Sequence, residues 1–207
     1  METKNRMLKV SSTPTTTAPK VKLSRVSADP IKTGIKTSPT SGKNPLLGES
    51  CITYLNYRIQ QEEYSSRVYL SMSMWLTNNG YLNAGKIWKK YSEEENKHAN
   101  MAREYLLNMG VQPATPALEQ PVENYESFPD IIRRTHQHEI DITLQIKDLA
   151  NHALLDGDHM VYDLALQYMR EQNEEMGKTQ DLVDQLEAFG EDKLAMRLFD
   201  HDLSHYI

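Results

Sequence analysis

The sequence has a single cysteine, Cys51, and no apolar run as long as the roughly 18 residues that a membrane span requires. One cysteine cannot build a disulfide framework or a thiolate zinc site, and it is typical of a reducing compartment. The net charge of −6 argues against a protein that binds nucleic acid over its whole surface. With 39% hydrophobic and 25% charged residues, the composition is that of an ordinary globular domain.

The first 47 residues differ from the rest in charge and composition. They hold nine Lys or Arg against two acids, five of the nine prolines and no aromatic residue, which gives +7 for this segment and −13 for the remainder. Such a segment cannot bury enough apolar surface to offset its ordering entropy. We therefore predict that residues 1–47 are a disordered basic extension rich in Ser, Thr and Pro, and that residues 48–207 form one domain.

Residues 1–47 also indicate the cellular compartment in which the protein is expected. It lacks the apolar core of a secretory signal, so we expect a cytoplasmic protein. An organelle is the alternative, because an acid-poor, basic, Ser/Thr-rich start is also typical of a transit peptide.

Glycine and proline punctuate the remaining chain. They leave four long stretches that contain neither residue: 51–79, 86–109, 130–156 and 158–176. No alternating run rich in Val, Ile or Thr indicates a strand, so the pattern predicts an all-α fold with four long helices. A short fifth amphipathic helix follows Gly190 and carries Leu194, Leu198 and Phe199 on one face, which we expect a lone bundle to leave partly exposed.

The connections between these helices indicate the topology. Helices 1 and 2 are joined by a short connection, as are helices 3 and 4, so each pair should be an antiparallel hairpin. Residues 110–129 lie between helices 2 and 3. Extended, they could cover about 66 Å, which exceeds the ~36 Å length of a 24-residue helix. The sequence therefore predicts a four-helix bundle with one long crossover.

Each helix has an apolar seam that a polar residue interrupts near its middle. In chain order the interruptions are Glu62, then Glu95 with His98, then Glu139, then Gln172 with Glu175. Burying carboxylates together is prohibitively costly unless a cation neutralises them. Oxygen donors with one imidazole and no thiolate suit iron or manganese, with zinc as a competitor.

Longer motifs surround these residues. They read Glu62-Glu63-Tyr64-Ser65-Ser66, Glu93-Glu94-Glu95-Asn96-Lys97-His98, His138-Glu139 and Glu171-Gln172-Asn173-Glu174-Glu175. In their order and spacing, from about residue 50 to 205, the chain resembles the ferritin family, and within it the bacterial non-haem ferritins. The resemblance implies a ferritin-like bundle that assembles into a homo-oligomeric cage of twenty-four chains. It also implies a ferroxidase that oxidises Fe(II) with O2 or peroxide and stores a ferric mineral.

The resemblance also implies roles for individual residues. A di-iron ferroxidase centre would be held by Glu62, Glu95, His98 and Glu139, with Gln172 near the second iron. Tyr69 would hydrogen-bond the centre and could be oxidised there. A third iron would be held by Glu94, Glu171, Glu174 and Glu175.

At two positions the sequence differs from related families of the same fold, and each difference excludes a feature of those families. Asn96 stands where a bacterioferritin has its haem-binding methionine, so no haem is expected. Glu174 stands where a second Glu-x-x-His motif would place histidine. The remaining histidines are expected at the surface rather than as ligands; they include His136, His138, His152 and His159.

Two other functions stay open from the sequence alone. One is a protective cage that uses the basic extension to hold DNA. The other is a di-iron oxidase of an organic substrate, which would need an apolar channel beside the metals.

The extension offers the first test. All expected iron ligands lie beyond Glu49, so a chain that begins at Gly48 should still assemble and oxidise Fe(II). We favour an inert or cleaved extension over DNA binding. A DNA gel shift with full-length and shortened protein, at low and high salt, distinguishes an inert extension from a DNA-binding one. Binding to DNA phosphates should weaken steeply as salt increases. Salt-sensitive DNA binding by the full-length protein alone would contradict the inert extension.

Overall fold

The computed structural model describes residues 46–206, so the predicted extension lies outside the described residues apart from its last two positions. Five helices and a final 3-10 turn make up the described chain, and it contains no strand. In order they are α1 (Glu49–Asn78), α2 (Leu82–Asn108), α3 (Phe128–Leu155), α4 (His159–Phe189), α5 (Lys193–Asp202) and the turn Leu203–Tyr206. None of the described helices is both long and apolar enough to cross a membrane. The predicted all-α fold is confirmed.

The long crossover follows α1 along the outside of the bundle. Asn56 Oδ1 accepts a hydrogen bond from Ala114 N at 2.8 Å, and Ser71 Oγ donates to Val122 O at 2.6 Å. Because α1 and the loop advance together, the loop carries the chain from one end of the bundle to the other. Helix α3 therefore starts beside the start of α2 and runs parallel to it, as the sequence predicts.

The hairpin between α1 and α2 is tighter than the glycine pattern indicates. Gly85 lies inside α2, which begins at Leu82, and is not part of the connection. A Cβ at Gly85 would collide with Thr77 Oγ1, and Ser73 Oγ donates to Gly85 O at 2.7 Å. Glycine is needed there because the two helices approach closely.

Two apolar clusters fill the bundle, one towards each end. The first includes Leu55, Leu106, Ile146, Leu149 and Val161. The second includes Leu76, Trp88, Phe128, Ile132 and Leu186. The polar residues that interrupt the helical seams lie in the layer between these clusters.

Helix α5 closes the end of the bundle with one of the three apolar residues that the sequence singles out, Phe199. Phe199 is fully buried and stacks on Phe128, with ring centroids 5.6 Å apart, whereas Leu194 and Leu198 are 68% and 53% exposed. The exposure of the two leucines is that expected for a lone bundle, whereas Phe199 is more deeply buried than expected. The short helix has apolar residues on more than one face, and the bundle covers only the face that carries Ala195, Met196 and Phe199.

Helix α5 also caps α2. The N-cap residue of α2, Tyr81, offers no side-chain acceptor to the first turn. Asp200 supplies it from α5, since its Oδ1 accepts a hydrogen bond from Ala84 N at 2.8 Å. The Arg197 guanidinium lies over the Tyr81 ring at 4.7 Å and anchors the same junction.

Replacing Phe199 with Ala should destabilise the protein by about 3–5 kcal/mol, because it removes a buried aromatic ring and leaves a cavity. Thermal unfolding followed by circular dichroism should show a clearly lowered midpoint. Lys193→Ala, on the same helix but exposed, is the matched control and should shift the midpoint little. Equal shifts for the two variants would contradict this packing.

Candidate metal centre

Each long helix contributes a buried carboxylate or amide side chain to the layer between the apolar clusters. Glu62 of α1, Glu95 of α2 and Glu139 of α3 are only 1%, 3% and 3% exposed, and Gln172 of α4 is similarly buried. Their positions follow from helix periodicity, because each replaces an apolar residue on the core-facing stripe. The structure thus brings together the polar residues that the seams single out.

The acids and the histidine converge in two groups that share one carboxylate. Glu62, Glu95 and His98 have ligand atoms within 4.8 Å of one another, and so do Glu95, Glu139 and Glu175. Among the described residues, these are the groups of three or more acidic, His or Cys side chains that converge in this way. Glu95 belongs to both, so it could bridge two neighbouring cations.

His98 lies at the edge of this centre, one turn after Glu95. Its Nδ1 is 3.3 Å from Glu95 Oε2, and its Nε2 is 2.9 Å from Glu171 Oε2 and 3.8 Å from Glu175 Oε1. Tyr168 donates its hydroxyl to the His98 carbonyl at 2.6 Å, which fixes this turn of α2 against α4. The imidazole therefore has carboxylates on both ring nitrogens.

Glu139 is held by two donors from neighbouring helices. The Tyr69 hydroxyl forms a short hydrogen bond with Glu139 Oε1, and Gln172 Nε2 donates to Glu139 Oε2 at 2.6 Å. Burial and the negative charge of Glu139 raise the pKa of Tyr69 well above its usual value, so the phenol keeps its proton. Tyr69 thus orients this carboxylate as a neutral donor.

Crowding of the carboxylates raises the pKa values of two of them, Glu95 and Glu175. Burial, together with the charges of Glu62 and Glu139, raises the pKa of Glu95 well above its usual value. Burial and the charges of Glu139 and Glu62 raise the pKa of Glu175 to about 9, although Lys178 opposes this shift. Protons must therefore supply part of the missing positive charge when no cation is present, and the donor set fits divalent metal ions.

The remaining predicted acids lie on the solvent side. Glu94, Glu171 and Glu174 join Glu175 and His98 around an open cavity of about 280 Å³, with Lys97 and Lys178 at its rim. Glu171 reaches His98, whereas Glu174 is exposed. These acids line a common space but do not converge on one point as the two inner groups do.

Two of the histidines expected at the surface, and one arginine that the sequence analysis did not single out, make contacts inside the bundle. His138 is not at the surface: its Nε2 is 2.8 Å from Ser65 Oγ, and its ring packs edge-on against Tyr69. His152 likewise stacks on Tyr54. Arg58 is buried beside Glu62, one helical turn earlier, with its Nε 2.7 Å from Glu62 Oε1. Its i, i+4 spacing from Glu62 is the signal that could have identified this pair.

Comparison with known proteins agrees with this architecture. The family model of the ferritin-like domain matches residues 52–189. A probable bacterial non-heme ferritin-like protein of Haemophilus influenzae is 31% identical over 160 residues, covering 77% of this chain and 97% of its own length. A bacterial non-heme ferritin of Campylobacter jejuni is also 31% identical and covers 70% of this chain and 87% of its own.

A structural neighbour extends the likeness to three dimensions. The open-pore ferritin of the archaeon Archaeoglobus fulgidus superposes with a TM-score of 0.74 at 28% identity, covering 77% of this chain and 97% of its own. Family model, sequence relatives and fold coincide on the region that contains the carboxylate layer. The chain belongs to the ferritin family.

Proposed function

We propose that this protein is a ferroxidase and iron-storage protein that binds Fe(II) at the buried carboxylate layer. The observation that carries the proposal is the pair of ligand groups, Glu62–Glu95–His98 and Glu95–Glu139–Glu175, that share Glu95 inside an apolar bundle. Relatives named bacterial non-heme ferritins cover most of the folded domain. Oxygen donors with a single imidazole suit iron, the substrate of this reaction.

The residues have distinct tasks in this proposal. Glu62, Glu95 and His98 bind one Fe(II), and Glu95, Glu139 and Glu175 bind the other, so that two electrons are available within one centre. Gln172 and Tyr69 hold the Glu139 carboxylate in place as neutral donors. Two Fe(II) ions lose one electron each, and O2 takes up two electrons and two protons to give hydrogen peroxide. With peroxide as oxidant, the same two electrons and two protons give two waters.

The space beside the centre supports a small oxidant. A cavity lined by Tyr69, Tyr91, Glu95 and Glu139 measures about 10 Å³, room for about one water molecule. A larger cavity of about 250 Å³ adjoins it, with Tyr91, Glu94 and Lys178 common to both linings, but Glu62, Glu95 and Glu139 do not line it. This arrangement favours O2 or peroxide over an organic substrate at the centre.

The outer acids provide a path for the ferric product. Glu175 belongs to an inner ligand group and also lines the open cavity that carries Glu94, Glu171 and Glu174. A ferric ion leaving the centre meets these acids next, which fits the third iron position that the family resemblance implies. Storage of the mineral requires assembly into a cage, and the exposed Leu194 and Leu198 of α5 are available for subunit contacts.

The ligand assignment is tested by replacing Glu95 and His98 together with Ala. We expect the initial rate of Fe(II) oxidation in air to fall at least about 100-fold, because loss of even supporting residues at metal sites costs 10–100-fold. Ferric absorbance measures the rate, and sedimentation should show that the assembled particle is retained. The control is Glu93→Ala with Glu104→Ala, two exposed acids on the same helix. A wild-type rate in the Glu95/His98 variant would refute the assignment.

The proton affinity of Glu175 generates a pH test. A carboxyl group whose pKa rises from an ordinary 4.5 to about 9 on folding stabilises the protein at low pH, and this contribution is lost as pH rises between those values. From pH 5 to pH 9, the unfolding midpoint of metal-free wild type should therefore fall relative to that of Glu175→Gln, by about 10 °C. Added Co(II) should stabilise the wild type more than the variant.

The matched control for this test is Glu174→Gln, which changes the exposed neighbour of Glu175 and should leave the wild-type pH profile intact. Differential scanning calorimetry of chelator-treated protein measures all three midpoints. Parallel pH profiles for wild type and Glu175→Gln would show that Glu175 does not hold a proton in the folded protein.

A further inference from the structure

Arg58 is a buried cation at the edge of the carboxylate layer. Its side chain is 2% exposed and lies on α1 one turn before Glu62, next to the first apolar cluster. An arginine keeps its charge in any protein environment, and an uncompensated buried charge is very costly. The ion that compensates Arg58 therefore has to be found among its buried neighbours.

The contacts of Arg58 are few and unequal. Its Nε is 2.7 Å from Glu62 Oε1, although the N–H is not aligned for a hydrogen bond, and one Nη donates to Gln145 Oε1 at 3.2 Å. The other Nη has no hydrogen-bond partner among the described residues, and neither has Glu62 Oε2. Glu62 is thus the charge partner of Arg58 and offers one oxygen that nothing else in the described chain holds.

Glu62 therefore takes part in two interactions that compete for its negative charge. It is a member of the ligand group with Glu95 and His98, and it is also the counter-ion of a fixed guanidinium. A cation bound by this group must share the carboxylate with Arg58 and lie close to its positive charge. Burial limits screening by salt, so this repulsion persists at physiological ionic strength.

We propose that Arg58 is a positioning residue that holds Glu62 through Oε1 and weakens cation binding at the Glu62–Glu95–His98 group. Coulomb repulsion is proportional to the charge of the bound ion. Arg58 therefore disfavours a trivalent product by half as much again as a divalent substrate. The consequence is a position that binds Fe(II) reversibly and empties after oxidation. This inference rests on the proposed ferroxidase function.

A purely structural role makes a different prediction. If Arg58 only neutralised Glu62 in the metal-free protein, its replacement would change stability and leave metal affinity at this group unaltered or weaker. The direction of the change in affinity separates the two roles, because removal of a repelling charge tightens binding.

The experiment titrates full-length protein with Co(II) without oxygen and follows the visible absorbance of the bound ion. Arg58→Gln should bind the first Co(II) per chain about tenfold more tightly than wild type. Arg58→Lys, which keeps the charge, should bind within about threefold of wild type. The matched control is Arg67→Gln, an exposed arginine on the same helix, and it should match wild type.

Gln145→Glu is a second, nearly isosteric route to the same change. It places a carboxylate where Gln145 Oε1 now accepts from Arg58, so it neutralises the guanidinium and should also tighten Co(II) binding even if Arg58→Gln does not fold. With repeated Fe(II) additions in air, both variants should oxidise the first addition and then slow several-fold relative to wild type, as the product stays bound.

The outcomes separate this inference from the function on which it rests. A wild type that binds no Co(II) and oxidises no Fe(II) overturns both. A wild type that does both, with Arg58→Gln and Gln145→Glu binding Co(II) no more tightly, overturns the role of Arg58 alone. Tighter binding in both variants together with a normal Arg58→Lys supports it.

Discussion

The packing of carboxylates between two apolar clusters is the constraint on which the rest of the structure depends. Glu62, Glu95 and Glu139 are buried at the middle of the bundle, where isolated negative charges are prohibitively costly. Protonation reduces part of this electrostatic cost, as the raised pKa values of Glu95 and Glu175 show. The positive charge of the Arg58 guanidinium reduces another part. Bound cations would offset the remainder, and this is the basis of the proposed iron site.

The surrounding architecture holds this unfavourable layer in register. The crossover is tied to α1 by Asn56 and Ser71, so the four helices meet in one order and at one level. At the far end, Asp200 caps α2 and Phe199 stacks on Phe128. The apolar clusters on both sides supply the burial that offsets the electrostatic cost, because apolar area removed from water is the main favourable contribution to folding.

The carboxylate layer changes from buried, hydrogen-bonded acids on the inside to solvent-facing acids on the outside. Inner carboxylates are oriented by neutral donors, Tyr69 and Gln172, which fix geometry without adding charge. The outer acids line an open cavity, where water moderates their repulsion, and this cavity is the proposed exit for the ferric product. Arg58 adds an asymmetry to this gradient, since it contacts the Glu62 side alone and leaves the Glu139 side without a fixed cation at such close range.

Much of this could be read from the chain by itself. Periodicity and glycine or proline punctuation predict four helices, the long crossover and the level of the polar layer, because these depend on local spacing alone. The same spacing singles out Glu62, Glu95, His98, Glu139 and Gln172. Other features arise from contacts between distant segments. The burial of Phe199 rather than Leu194 and Leu198, the cap that Asp200 lends to α2, and the place of His138 beside Tyr69 required the tertiary structure. Helical spacing states which residues share a face, but only packing decides which face a neighbouring helix covers.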